Sequence, residues 1–253
     1  MLGSTSVKPK GQDTEGDPAT LGTCPIFNRH GCPIFNRQLH ERADGVSAMV
    51  FPSIADALDR FKPTLLMVDI PIGLTDAGPR DCDVAARGLL RPKRSSSVFR
   101  APIRAVLGGE TYAEANSTHR ATDGCGLSAQ AFAIVPKIRE VDDLIAGSPG
   151  LQAVVREVHP EVCFAHWNNG VPMAHAKRRP EGRSEREALI DAYWPGIRDR
   201  LAGQIGGTAW ADDDLNDALA ALWTARRVHI GSAARLPETP PADRLGLRME
   251  MWA

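Results

Sequence analysis

The chain lacks a paired-cysteine motif: its five cysteines (Cys24, Cys32, Cys82, Cys125 and Cys163) are scattered, with no CxxC among them. An odd, dispersed set is poor material for a disulfide framework and reads as reduced thiols, the pattern of a cytoplasmic protein. No apolar run approaches the roughly 20 residues that a membrane helix needs. The first twenty residues, "MLGSTSVKPKGQDTEGDPAT", hold no apolar segment of a secretory leader. Charge of either sign is not in excess: a formal net charge of −1 provides no global field for nucleic acid or membrane, so such binding must come from local patches. Also missing are a glycine-rich phosphate loop, GxSxG, HExxH and any kinase-like set, which sets aside those reaction classes. Cys163 lies four residues after His159, but no orienting acid accompanies them, so a cysteine nucleophile is poorly supported.

What is present suits one α/β domain: 253 residues, 43% hydrophobic and 24% charged, close to the globular average. Residues 1–45 read as an atypical, disordered segment containing two copies of "CPIFNR", at 24–29 and 32–37. Joined by His30-Gly31, the copies suggest a short hairpin, although proline second in each argues against good strands. Cys24, His30, Cys32 and His40 match no standard zinc-finger spacing, and duplication without function is the simpler account.

The folded domain is expected over 46–253. "VSAMVF" (46–51) suits a strand. Ser53 is placed to cap a helix whose apolar face is Ile54, Ala57, Leu58 and Phe61. "TLLMVDI" (64–70) reads as a central strand buried on both faces. Strand, helix, strand with short links makes a parallel crossover unit. Residues of about 79–150 read as a helical insertion, with the long candidate "GLSAQAFAIVPKIREVDDLI" kinked at Pro136. "AVVREVH" (153–159) returns to strand, two further helices follow, and "GLRMEMW" closes the chain as a last strand.

Three acidic positions fall where a sheet-based site would want them. Asp69 ends the predicted central strand, where open α/β sheets place ligands; capping of the Pro71–Gly73 turn is an equal account. Glu157 lies near the next strand end, where a solvated strand terminus is the simpler account. Asp212, Asp213, Asp214 and Asp217 crowd one helical start, beside a buried stripe of Leu215, Ala218, Leu219 and Leu222. Clustered carboxylates repel unless a cation joins them, and hard oxygen ligands suit Mg²⁺ or Mn²⁺. A counter-charge is present too. Val84–Gly109 has no acidic residue but holds Arg87, Arg91, Lys93, Arg94, Arg100 and Arg104. "AHAKRRPEGR" adds Lys177, Arg178, Arg179 and Arg183. A solvated loop or a phosphate-binding surface explains such runs, with Ser95, Ser96 and Ser97 as hydroxyl donors.

"VDIPIGLTDAGPRDCDVAARGLL", "SSSVFRAPIRAVL", "GLSAQAFAIVPKIREVD", "REVHPEVCFAHWNNG", "GRSEREAL" and "DDDLNDALAALWTARR" occur in one order. Over about 46–253 that series resembles the domain-of-unknown-function 429 family, described as predicted nucleases with an RNase H-like fold. The resemblance implies a five-stranded mixed sheet flanked by helices, with acids converging on a divalent metal pair. It implies that Asp69, Glu157, Asp214 and Asp217 are the catalytic and metal-ligating acids; Holliday-junction resolvases of that superfamily show a similar Asp-x-x-Asp-Ala-Leu arrangement. Arg80, Arg87, Ser97, Arg100, Arg104 and Lys137 lie in the family blocks and, with Lys177 from the second basic stretch, form the expected substrate side.

The departure is at the front. The family begins with a strand of the type Gly-x-Asp-Gly-x-x-x-Gly-Trp, whose aspartate is a metal ligand, and nothing in residues 1–45 matches it. The expectation is a sheet missing its first one or two strands: either the "CPIFNR" copies fill the gap badly or, the favoured account, residues 1–45 arise from a wrong start or a damaged gene. The expected function is a metal-dependent nuclease impaired by loss of that aspartate. The alternatives are a non-catalytic nucleic-acid-binding module and a metal-dependent hydrolase of a small phosphorylated metabolite.

Overall fold

The structure is a computed structural model that describes residues 20–24, 36–42, 45–205 and 212–253. Its elements are β1 (Thr20–Cys24), β2 (Asn36–Arg42), β3 (Gly45–Phe51), α1 (Ile54–Phe61), β4 (Leu65–Val68), α2 (Asp81–Leu89), α3 (Tyr112–Asp123), α4 (Ala129–Ala133), α5 (Val135–Ile145), α6 (Pro149–Val154), β5 (Val155–Glu157), α7 (Pro160–Trp167), α8 (Pro180–Tyr193), α9 (Ile197–Ile205), α10 (Asp212–His229), β6 (Arg235–Leu236) and β7 (Met251–Trp252). This is a mixed α/β protein, mostly helical, around one five-stranded sheet of order β3-β2-β1-β4-β5. β1–β2 and β2–β3 are antiparallel, while β1–β4 and β4–β5 are parallel. A small β6–β7 ladder stands apart, and Val158 bridges to Trp252.

β4 shows how sequence fixes the layers. Successive strand side chains point to opposite faces. Leu65 and Met67 accordingly join a core with α7 and α10, through residues such as Phe164, Leu215 and Leu222. Leu66 and Val68 join the opposite core, with Ile54 and Phe61 of α1 and Ile138 of α5. All four are buried, as a strand covered by helices on both sides requires.

α1 forms as read: the Ser53 hydroxyl accepts from the Asp56 amide at 3.1 Å, and Lys62 ends the helix in a left-handed conformation. Residues 79–150 are helical as expected, but Pro136 does not kink one long helix. It sits in the first turn of α5, where its missing N–H costs nothing, and α4 is a separate short helix. The strand read over 153–159 shrinks to β5, because α6 runs through Val154. No helix among the described residues is long and apolar enough to cross a membrane.

The expectation that the first one or two strands are missing is corrected. β1 and β2 fill both places, in register Thr20↔Glu41 and Thr20↔Leu65. The prolines that argued against strands, Pro25 and Pro33, lie outside the described residues; β1 is described as far as Cys24 and β2 from Asn36. β1 is therefore central, with β2 and β4 as its neighbours, and β3 pairs with β2. The imagined hairpin between the two copies, and His30 and Cys32 of the imagined zinc set, lie outside the described residues.

Candidate functional site

Asp69 directly follows β4, at the carboxyl end of the central parallel strands. α10 packs against β1, β4 and α7, so the acids of its first turns are driven inward rather than left at a solvated helix start. Asp214 and Asp217 are both buried. Burial raises the Asp217 carboxyl to about 6, Lys177 opposes the rise, and the negative charges of Asp69 and Glu161 add to it. Three carboxylates thus share one electrostatic neighbourhood. Lys177 donates to Asp217 Oδ2 and stands 3.6 Å from Asp213 Oδ2. Asp217 Oδ1 is buried with no hydrogen-bond partner.

Glu161 is the acid that the sequence reading passed over. It lies in the first turn of α7, buried, with Oε1 accepting from Arg186 Nη2 at 2.6 Å and Nε at 3.2 Å. Its Oε2 has no hydrogen-bond partner; Arg94 Nε stands 3.5 Å away. The signal was His159-Pro160: proline favours the first turn of a helix, which starts α7 there and carries Glu161 over the sheet end. His159 Nε2 lies 3.3 Å from the Ser97 carbonyl, while its buried Nδ1 is unpartnered. The segment carrying Lys177 is held by shape. At Gly182 of α8 a Cβ would collide with the Ala176 carbonyl, and Arg186 bonds the His175 carbonyl at 3.3 Å.

Glu157, level with Val68 in the neighbouring strand, is engaged by Arg80. Its two oxygens each lie 2.7 Å from an Arg80 Nη atom, and Oε2 also accepts from the Ile72 amide at 2.6 Å. Arg80 is itself buried and reaches Asp83 (Nη2–Oδ1 2.5 Å) and the Ile72 carbonyl (3.2 Å). Burial raises the Glu157 carboxyl to about 7 even against Arg80. Glu157 and Arg80 form an internal ion pair that fixes the loop after β4 to β5.

The other expected substrate contacts turn largely inward. Arg104 is buried between Asp142 (2.8 Å) and Asp243. Arg100 bonds Asp123 and the Cys125 sulfur. Arg87 is exposed but donates to the Val98 carbonyl at 2.7 Å, and Lys137 pairs with Glu140 at 2.6 Å. The Ser97 hydroxyl accepts from Arg94 at 3.0 Å. The acid-free run serves the helical insertion's own carboxylates and carbonyls more than it forms a bare cationic surface. Cys163 is fully buried and its thiol is pushed up to about 12, which leaves it inert as a nucleophile.

The donor set at Asp69, Glu161 and Asp217 is all carboxylate oxygen, the chemistry of Mg²⁺ or Mn²⁺, and the orphaned Asp217 Oδ1 and Glu161 Oε2 are where a cation would bind. Among the described residues, however, three ligand atoms come within 4.8 Å of one another only at Cys82–Asp83–Glu157 and His119–Asp123–Cys125. The first group is filled by the Arg80 guanidinium. At Asp217 the Lys177 ammonium is paired with the carboxylate. β1 brings no carboxylate: it reads Thr-Leu-Gly-Thr-Cys, and extending its register with β4 from Gly22↔Met67 sets Cys24 level with Asp69.

The family model described as "Protein of unknown function (DUF429)" matches residues 37–242. No curated protein and no solved structure matches the chain. The match starts inside β2, takes in every element from β3 to β6, and includes Asp69, Glu161, Lys177 and Asp217 while leaving β1 out. The chain is a member of the DUF429 family.

Proposed function

We propose that the site at Asp69 is that of a metal-dependent phosphodiester hydrolase acting on nucleic acid, built on an RNase H-like sheet and weakened in this chain. The observation that carries the reading is the buried Asp217 carboxyl, raised by the nearby charges of Asp69 and Glu161, with its Oδ1 and Glu161 Oε2 accepting no hydrogen bond. The sheet supports it: β1 runs beside β4 in a five-stranded mixed sheet, the kind of sheet that the family resemblance implies. Mg²⁺ or Mn²⁺ held there would activate water and steady the leaving oxygen of an in-line displacement. Asp69, Asp217 and Glu161 would hold the cation, Arg186 orients Glu161, and Lys177 offsets the charge of Asp217 until then. The exposed Arg178 and Arg179, beside Lys177, lie where a phosphate backbone could pass.

The weakness lies in β1, which offers no acid next to Asp69. Binding without cleavage is the second reading, favoured by the Lys177–Asp217 pair that already neutralises the buried acid. A small-metabolite hydrolase gains less support. A cavity of about 470 Å³ at the β5 edge is lined by Ile72, Val155, Arg156, Glu157, Leu247 and Arg248, among others, but by none of Asp69, Glu161 and Asp217.

The test is cleavage of labelled single-stranded, duplex and branched DNA and RNA with Mg²⁺ or Mn²⁺. Weak cleavage that disappears in Asp69→Asn and Asp217→Asn supports hydrolysis. Salt-sensitive binding unchanged in both variants, without cleavage, supports the second reading. Cleavage that survives both substitutions overturns the site.

A further inference from the structure

A second cluster lies in the helical insertion, apart from Asp69. His119 and Asp123 are four residues apart on α3, hence on one face of the helix. Gly124 then takes a left-handed conformation (φ 71°), open to glycine at little cost, and turns the chain back. That turn returns Cys125 to the same face: its carbonyl lies 2.9 Å from His119 Nδ1, and its sulfur 3.2 Å from Asp123 Oδ2. His119 Nδ1 stands 3.8 Å from the same Asp123 oxygen. His119 and the Asp123 side chain are almost wholly buried.

These separations lie within about 0.4 Å of the edges of a metal tetrahedron, the sulfur–oxygen edge short and the nitrogen–oxygen edge long. With Zn–S about 2.3 Å and Zn–N and Zn–O about 2.0–2.2 Å, tetrahedral ligand atoms lie roughly 3.3–3.6 Å apart; the two measured edges, 3.2 and 3.8 Å, bracket that span. The carboxylate is oriented from behind: the Gly78 amide donates to Asp123 Oδ1 at 2.5 Å and leaves Oδ2 facing the cluster. Such outer support is what metal-bound carboxylates ordinarily have. A cation also already sits on the cluster. Arg100 puts Nη1 3.0 Å from the Cys125 sulfur and Nη2 on Asp123 Oδ2. Its side chain is one-third exposed (34%), and its buried Nε has no hydrogen-bond partner, so the guanidinium has a route to solvent when a competing cation arrives.

We propose that His119, Asp123 and Cys125 form a binding site for a borderline-soft divalent metal of the Zn²⁺ class, with Arg100 as its competitor. One nitrogen, one carboxylate oxygen and one thiolate select Zn²⁺ over the hard Mg²⁺ or Mn²⁺ expected at Asp69. Binding exchanges the Cys125 thiol proton, now donated to Asp123, for the metal; the proton passes to solvent. Arg100 swings out, His119 gives up its bond to the Cys125 carbonyl, and the fourth position is left to water. Because Asp123 also holds Gly78, the metal would clamp α3 to the loop that follows Asp69 in the chain.

Titration of the full chain with Co²⁺ as a spectroscopic probe, then with Zn²⁺ in competition, tests the assignment. One equivalent should give a near-ultraviolet thiolate-to-cobalt band, which Zn²⁺ removes. Cys125→Ser should lose the band with its far-UV circular dichroism intact. Arg100→Ala should tighten binding roughly tenfold, since a competing cation is gone. As a check independent of any substitution, Zn²⁺ should protect Cys125 of the unaltered chain from alkylation, read by peptide mass spectrometry. A band that survives Cys125→Ser, no band in Arg100→Ala, or alkylation of Cys125 unaffected by Zn²⁺ would each overturn it.

Discussion

Replacing Arg80 by methionine separates the two acids of "EVHPE" by experiment. Arg80 gives two contacts of 2.7 Å to Glu157 and further bonds to Asp83, all in the interior. Methionine fills much of the volume but supplies no donor, so both carboxylates must stay charged and unpaired or take up a proton. Protonation caps the cost at Glu157: its carboxyl is already raised to about 7 beside Arg80, so holding it neutral at pH 8 adds only about 1.4 kcal/mol, and the larger share of the loss falls on Asp83. Asp83 keeps the Ala101 amide at 3.2 Å, and Glu157 keeps the Ile72 amide, which softens the loss. The expected destabilisation is about 3–5 kcal/mol, the usual cost of orphaning a buried ion-pair partner.

The pH dependence gives the same test a sign. The Glu157 carboxyl is raised in the folded state, to about 7. Its stabilising contribution is therefore full below the unfolded carboxylate range and is lost as pH climbs through the folded value. Without Arg80 that value rises further, so the variant's deficit should be largest near pH 8 and shrink by pH 5.5. Urea unfolding followed by tryptophan fluorescence at both pH values measures it. A loss under about 1 kcal/mol at pH 8, or a deficit that does not change with pH, would refute the ion-pair account and return Glu157 to the candidate site.

Cys24→Asp sets a carboxylate level with Asp69 and should raise Mn²⁺ affinity roughly tenfold, about 1.4 kcal/mol, by calorimetry, with a gain in cleavage; no gain would mean that the strand register does not serve the site. Burial raises the Asp217 carboxyl to about 6, so Mn²⁺ binding should strengthen as pH rises through about 6 and the step should vanish in Asp217→Asn. The same raised value means that the contribution of Asp217 to stability is present below the unfolded carboxylate range and fades through that window. Gly182→Ala should cost about 1–3 kcal/mol in urea unfolding, because a Cβ there meets the backbone of Ala176.

The parts of the fold legible in the sequence are those whose burial pattern is local. Leu65–Val68 reads as a central strand because four consecutive apolar residues can be buried only between two layers, and Ser53 announces α1 by its own hydrogen bond. β1 was not legible: Thr-Leu-Gly-Thr-Cys has one large apolar residue, and its place is set by backbone pairing to β2 and β4. At the site, Asp69, Asp214 and Asp217 stood out as a strand end and a helix start. Glu157 and Glu161 could not be told apart by spacing, since the choice depends on where β5 stops and α7 begins. The basic residues were visible as charge, but their partners Asp142, Asp243 and Asp123 lie far along the chain.

The close approach at Gly182 makes the position and the charge of the Lys177 segment independently variable. The segment is seated by the glycine gap and by Arg186, neither of which involves the ammonium group. Removing the charge with Lys177→Met leaves the seat intact, and filling the gap at Gly182 moves the seat while the charge remains. Two single substitutions thus separate what the lysine contributes as a cation from what the segment contributes as a wall, a distinction that deletion of the segment would erase.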